Sequence, residues 1–132
     1  MHKNIMRIIL LPLLAFSLAT AHASEGGESK GGGAYTKLES ITVNLADLSR
    51  YLQIQITVKA GNPEMAETIK MYMPVVRHAL ILLLSSKSPE EISTEPGKQK
   101  LMDEAKIAVN KAAELKPTHG VVAVLFESFI IQ

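Results

Sequence analysis

Residues 52–64 read Leu52-Gln53-Ile54-Gln55-Ile56-Thr57-Val58-Lys59-Ala60-Gly61-Asn62-Pro63-Glu64, and the hydrophobic pattern changes within that span. Leu52, Ile54, Ile56 and Val58 alternate strictly with Gln53, Gln55, Thr57 and Lys59, the period-2 signature of a strand with one buried and one wet face. Gly61 stops the run, and Asn62-Pro63-Glu64 supplies an N-cap, a proline in the first helical turn and an acidic residue at the positive end of a helix dipole. A half-buried strand therefore passes directly into a helix.

Upstream, Ile41, Val43 and Leu45 alternate with Thr42, Asn44 and Ala46, and Asp47-Leu48-Ser49 forms a turn, so the two runs make a β-hairpin. Downstream, Met65, Ile69, Val76, Leu80 and Leu83 or Leu84 recur at helical spacing, with Pro74 in their midst. Proline removes a backbone donor and clashes with the preceding turn, so the helix kinks or breaks just before it. Ser88-Pro89-Glu90-Glu91 has the form of a capping box and starts a short helical turn. A last long helix begins at Thr94 or Glu95, carries a narrow apolar stripe of Leu101, Ala105, Ala108, Ala112 and Leu115, and ends at Pro117 to Gly120; its small residues permit close approach of a neighbour. Val121 to Gln132 is apolar on both faces, as in a strand interior to a sheet. The expected fold is α+β: a small mixed sheet, formed by the N-terminal hairpin and a central C-terminal strand, packed with two to four helices.

The first 34 residues read differently. Lys3 and Arg7 precede an apolar run from Ile8 to Ala21, and Ala21-His22-Ala23 fits a small-residue cleavage site. Fourteen residues make a helix about 21 Å long, short of the roughly 30 Å hydrocarbon core. Residues 1–23 are therefore expected to be a secretory signal peptide, with an uncleaved membrane anchor as the alternative, residues 24–34 a flexible Gly/Ser-rich linker, and residues 35–132 the folded domain.

Charge and chemistry narrow the function. Of 14 basic residues, loss of Lys3 and Arg7 leaves 12 against 13 acidic ones, a balance with no electrostatic footprint for nucleic acid. The chain has no cysteine, which removes disulfides and thiolate chemistry. His78 and His119 are the histidines beyond the leader, and no third partner at metal-ligand or general-base spacing accompanies them. Glu90 and Glu91 are adjacent, so on a helix they point apart and serve capping better than acid–base work. Met65, Met71, Met73 and Met102 fit core filling and adaptable contacts better than a soft-metal site. No nucleophile elbow, phosphate loop or dinucleotide fingerprint occurs. A non-enzymatic binding domain without cofactor, metal or small-molecule substrate is the expectation.

Several separated blocks then carry a resemblance: Val43-Asn44-Leu45 with Arg50-Tyr51-Leu52, Pro74 with Arg77 and Leu84-Ser85, Glu95-Pro96-Gly97-Lys98 with Leu101, Asn110, and Val124-Leu125-Phe126 through Phe129-Ile130-Ile131-Gln132. In order and spacing the chain from Tyr35 to Gln132 resembles the flagellar basal-body-associated FliL proteins. That resemblance implies a periplasmic domain of stomatin and prohibitin type, held at the inner membrane near the flagellar basal body. It also implies partners, the ion-driven stator units, and a role in sustaining rotation and swimming or swarming motility. Side-by-side self-association into an arc or ring is expected with it. The chain departs from the family in its short leader, in His78 where an acidic residue is expected, and in Leu125 where tyrosine is frequent. The contact surface is expected along an exposed edge from Tyr51 to Lys59 and on the helix around Arg77, with Tyr51, Gln53, Gln55, Arg77 and His78 as its candidate residues. The alternative is a general envelope-binding or chaperone-like module on the same fold.

Overall fold

The computed structural model describes residues 34–132; the leader and nearly all of the linker lie outside the described residues. Eight elements follow in order: β1 (Ala34–Lys37), β2 (Ile41–Asn44), β3 (Tyr51–Ala60), α1 (Pro63–Met71), α2 (Met73–Ser85), α3 (Pro89–Ser93), α4 (Glu95–Ala112) and β4 (Val121–Ile131). Ala34, assigned to the linker above, opens β1.

The strand with the strict alternation is the centre of the sheet. β1 and β2 lie end to end along one side of β3, pairing with its residues 57–60 and 51–54, and β4 runs along the other side. Every pairing is antiparallel, so the expected hairpin is present while the expected mixed sheet is not. Leu52, Ile54, Ile56, Val58 and Ala60 are fully buried under the helices, and Tyr51 and Gln53 on the other face are exposed. The helical layer contributes Ile69, Val76, Leu80, Leu84, Ile92, Leu101, Ala105 and Val109 to the same core.

The C-terminal strand departs from expectation. β4 pairs with β3 alone and so forms an edge; it is not the central, doubly covered strand that its composition indicated. Two register shifts, between Gln55 and Ile56 and between Lys59 and Ala60, insert an extra residue in β4 each time. Each bulge resets the alternation, which is why apolar residues occupy both phases of the run. Phe129, Phe126 and Val124 share the inner face with Ile54, Ile56 and Val58, whereas Leu125 and Ile130 stand 44% and 42% exposed on the outer face.

Local chemistry sets the helix ends. Asn62 accepts from the Met65 amide at 2.9 Å. The Ser88 hydroxyl accepts from the Glu91 amide while the Glu91 carboxylate accepts from the Ser88 amide, completing the capping box. Thr94 caps α4 through the Gly97 amide at 3.1 Å. The helix breaks at Tyr72, just before Pro74, and α2 leaves α1 at 77°. Among the described residues no single helix is long and apolar enough to cross a membrane.

Candidate interaction surfaces

The five candidate contact residues fall in two separate places. Tyr51, Gln53 and Gln55 line one row of the sheet's outer face, but β3 is hydrogen-bonded on both sides and offers no edge; β4 and the β1–β2 side are the edges. Two of the three also have structural duties. The Tyr51 hydroxyl donates to the Gln132 side chain, and the two backbones exchange hydrogen bonds at 2.8 and 3.0 Å, fastening the end of the chain to the central strand. The Gln55 amide donates to the Leu38 carbonyl, where the edge passes from β1 to β2. Gln53 is exposed and has no such duty among the described residues.

Arg77 and His78 belong to the helical layer. Arg77 Nη1 donates to the Glu39 carbonyl at 2.9 Å, tying α2 to the β1–β2 connection, so its side chain anchors the fold. His78 is exposed and lines a groove of about 490 Å³ between α2 and α4, together with Val75, Ala79, Leu82, Ala108 and Ala112. The stripe expected on α4 divides here: Leu101 and Ala105 are buried in the core, while Ala108 and Ala112 face the groove. Sequence reasoning did not find this groove, although Val75, Ala79 and Leu82 recur at helical spacing on a face other than that of Val76, Leu80 and Leu84. That second stripe was the available signal.

Electrostatics on the surface serve the fold. On the sheet's outer face Glu127, the extra residue of one bulge, accepts from the Thr57 hydroxyl and pairs with Lys37 at 3.2 Å across the central strand. The Thr57 hydrogen bond, with Lys37 second, holds the Glu127 carboxyl below its usual range. The backbone and hydroxyl of Ser88 do the same for Glu91. Tyr72 donates to Glu114 at 3.2 Å, and that hydrogen bond raises the phenol above its usual value. A smaller cavity of about 180 Å³ lies between Lys87, Glu91, Gly97, Lys100 and Glu104. Lys87 meets Glu104 there in an ion pair at 2.7 Å, which compensates the buried carboxylate oxygen. Two cations and two anions leave this cavity without net charge.

His119 sits in the exposed turn before β4 with its Nδ1 2.7 Å from the Thr118 hydroxyl, and it does not join His78 in the groove. Among the described residues no group of three or more His, Asp or Glu is placed to hold a metal. The blocks that carried the resemblance are largely explained by packing. Asn110, 2% exposed, accepts from the Val121 amide at 2.7 Å and donates to the Val121 carbonyl at 3.2 Å, joining α4 to the start of β4. A Cβ at Gly97 would lie 1.7 Å from the Glu91 carbonyl oxygen, so the α3–α4 corner closes only around glycine.

A four-stranded antiparallel sheet with four helices packed on one face defines a small α+β domain. Comparison with known proteins assigns it further. Residues 35–132, every described residue except Ala34, match the family model described as flagellar basal body-associated protein FliL, and the chain belongs to that family. It is 29% identical over 147 aligned positions to the flagellar protein FliL of Escherichia coli strain K12, covering 98% of this chain and 96% of that protein. The flagellar protein FliL of Shigella flexneri matches at the same identity and coverage. That of Aquifex aeolicus is 35% identical over 92 residues, covering 68% of this chain and 55% of the relative. The family consists of flagellar accessory proteins, not enzymes, and membership places the chain with the flagellar basal body.

Proposed function

We propose that this chain is a non-enzymatic accessory protein of the bacterial flagellar motor whose domain stands in the periplasm at the inner membrane, contacts the stator units and supports rotation. One observation carries the reading: the match to a basal-body-associated family runs from residue 35 to residue 132, through all but the first residue of the described domain. Physical support comes from the division of labour among its residues. Asn110, Gly97 and Arg77 are engaged in holding elements together, which leaves Gln53 on the sheet and the groove on the helices to supply contacts, as in domains whose function lies in their interfaces.

The short apolar run ending in Ala21-His22-Ala23 supports export, and N-terminal sequencing of the mature product should begin at Ser24. The Gly- and Ser-rich composition of residues 24–33 supports a tether between leader and domain. With this role we infer side-by-side assembly of copies into an arc or ring around a stator unit, which rests on the stomatin-type fold that the family resemblance implies and is supported by a net charge too small to oppose packing of like subunits. An affinity-tagged copy expressed from its own locus should retrieve stator proteins from solubilised membranes. Retrieval of neither stator nor basal-body proteins contradicts the reading.

A further inference from the structure

Strand β4 has the composition of an interior strand and the position of an edge. It is 11 residues long and contains neither lysine nor proline, and its one charge, Glu127, is drawn onto the sheet by Thr57 and Lys37. Natural edges are guarded against further pairing by short length, lysine, proline or bulges. The opposite edge has such guards, since β1 and β2 are 4 residues each and are interrupted between Lys37 and Ile41. On β4 the bulges at Val122 and Glu127 guard the first part of the strand and leave residues 128–131 in regular register. There Phe129 and Ile131 are only partly buried against the core, and Ile130 is exposed on the outer face, so neither face is closed.

The ladder fixes which backbone groups point outward. Tyr51 and Gln132 exchange both backbone hydrogen bonds, and opposed residues of an antiparallel pair alternate between bonded and non-bonded. Ile130 and Ser128 are therefore bonded to Gln53 and Gln55, whereas Phe129 and Ile131, opposite Ile54 and Leu52, turn their N–H and C=O groups to the free edge. Among the described residues no strand pairs with that edge. We propose that residues 128–132 pair antiparallel with the same residues of a second copy about a two-fold axis at Ile130, joining two sheets into one.

The pattern of the segment singles out its own copy. Ser128-Phe129-Ile130-Ile131-Gln132 reads polar, apolar, apolar, apolar, polar from either end, so an inverted copy matches it position by position. Ile130 meets Ile130 on the outer face, Phe129 meets Ile131 on the helical face, and Ser128 meets Gln132 at each end; apolar cross-strand pairs of this kind stabilise a sheet. Phe129 of one copy and Ile131 of the other exchange N–H···O=C bonds through the groups left at the edge. The β1–β2 edge of a neighbouring copy offers no such match, being broken and carrying Lys37. A contact between identical edges closes at two copies, and it does not rest on the motor role.

The absence of cysteine from the sequence makes the register testable. Ile130→Cys is made in the full chain, produced in its own cells and oxidised with copper phenanthroline. It should form a covalent homodimer, because the two Cα atoms stand about 4.5 Å apart across the axis, within disulfide reach. Leu125→Cys, on the same face and similarly exposed, lies roughly 30 Å from its counterpart and should give under about one-tenth of that yield. Ser128→Cys alone and Gln132→Cys alone place like residues roughly 14 Å apart, beyond disulfide reach, yet the two variants expressed together should cross-link to each other. No homodimer from Ile130→Cys, equal yield from Leu125→Cys, co-expression no better than either single variant, or capture of a different protein by Ile130→Cys each overturns the proposal.

Discussion

Replacing Asn110 by alanine removes a side chain whose hydrogen bonds join the end of α4 to the start of β4. Its amide makes two hydrogen bonds with Val121, at 2.7 and 3.2 Å, and both residues are buried, at 2% and 0% exposure. Truncation leaves the Val121 N–H and C=O without those partners, and each unsatisfied buried group costs about 1–3 kcal/mol. The expected destabilisation is about 2–5 kcal/mol, which for a domain of this size lowers the melting temperature by at least about 8 °C. Asn110→Asp keeps the acceptor but turns a carboxylate toward the Val121 carbonyl, so it should be no more stable than Asn110→Ala. Urea unfolding followed by circular dichroism measures both, with Gln53→Ala on the exposed face as a control expected to change stability by under about 0.5 kcal/mol. An Asn110→Ala protein within 0.5 kcal/mol of the parent would refute the reasoning that α4 and β4 are joined through this amide.

Three further outcomes follow from particular side chains. Thr36, 5% exposed on β1, holds a hydroxyl with no hydrogen-bonding partner, so Thr36→Val should raise stability by about 1 kcal/mol, and a loss of stability would show that the hydroxyl is satisfied. Glu91 is held below its ordinary carboxyl value of 4.5 by the Ser88 hydrogen bonds; its contribution is complete above the unfolded value and lost as pH falls through the depressed folded one. The difference in melting temperature between the parent and Glu91→Gln should therefore shrink on acidification through this range, and a difference that grows would contradict the capping box. Phe126 is only partly buried and stacks on Phe129 at 5.7 Å, so Phe126→Ala should cost less than the roughly 3–5 kcal/mol of a fully buried phenylalanine.

Local chemistry was the part of the fold most legible in the sequence. The Asn62 cap, the break before Pro74, the Ser88 capping box and the Thr94 start of α4 all stand where the residues put them, because each depends on neighbours within four positions. The hairpin was legible because its two strands follow one another directly, joined by the turn between Asn44 and Tyr51. β4 was misplaced because two bulges shift its phase, and a bulge is defined by the partner strand, not by the strand's own residues. The surroundings of the candidate contact residues were only partly legible. Gln53 is exposed as the alternation required, but Gln55 and Arg77 turned out to hold the carbonyls of Leu38 and Glu39, long-range partners that no spacing announces. The groove at His78 was hidden because α2 is apolar almost all round, and only its packing tells the buried stripe from the exposed one.

The central claim is that this domain serves the flagellar motor by binding, and the speed of cells lacking it tests that most directly. A clean deletion strain should still assemble flagella of normal number and length, yet swim and swarm more slowly than its parent as the viscosity of the medium rises, with recovery when the intact gene is restored. A deletion strain that keeps pace with its parent in both dilute and viscous medium would contradict the account.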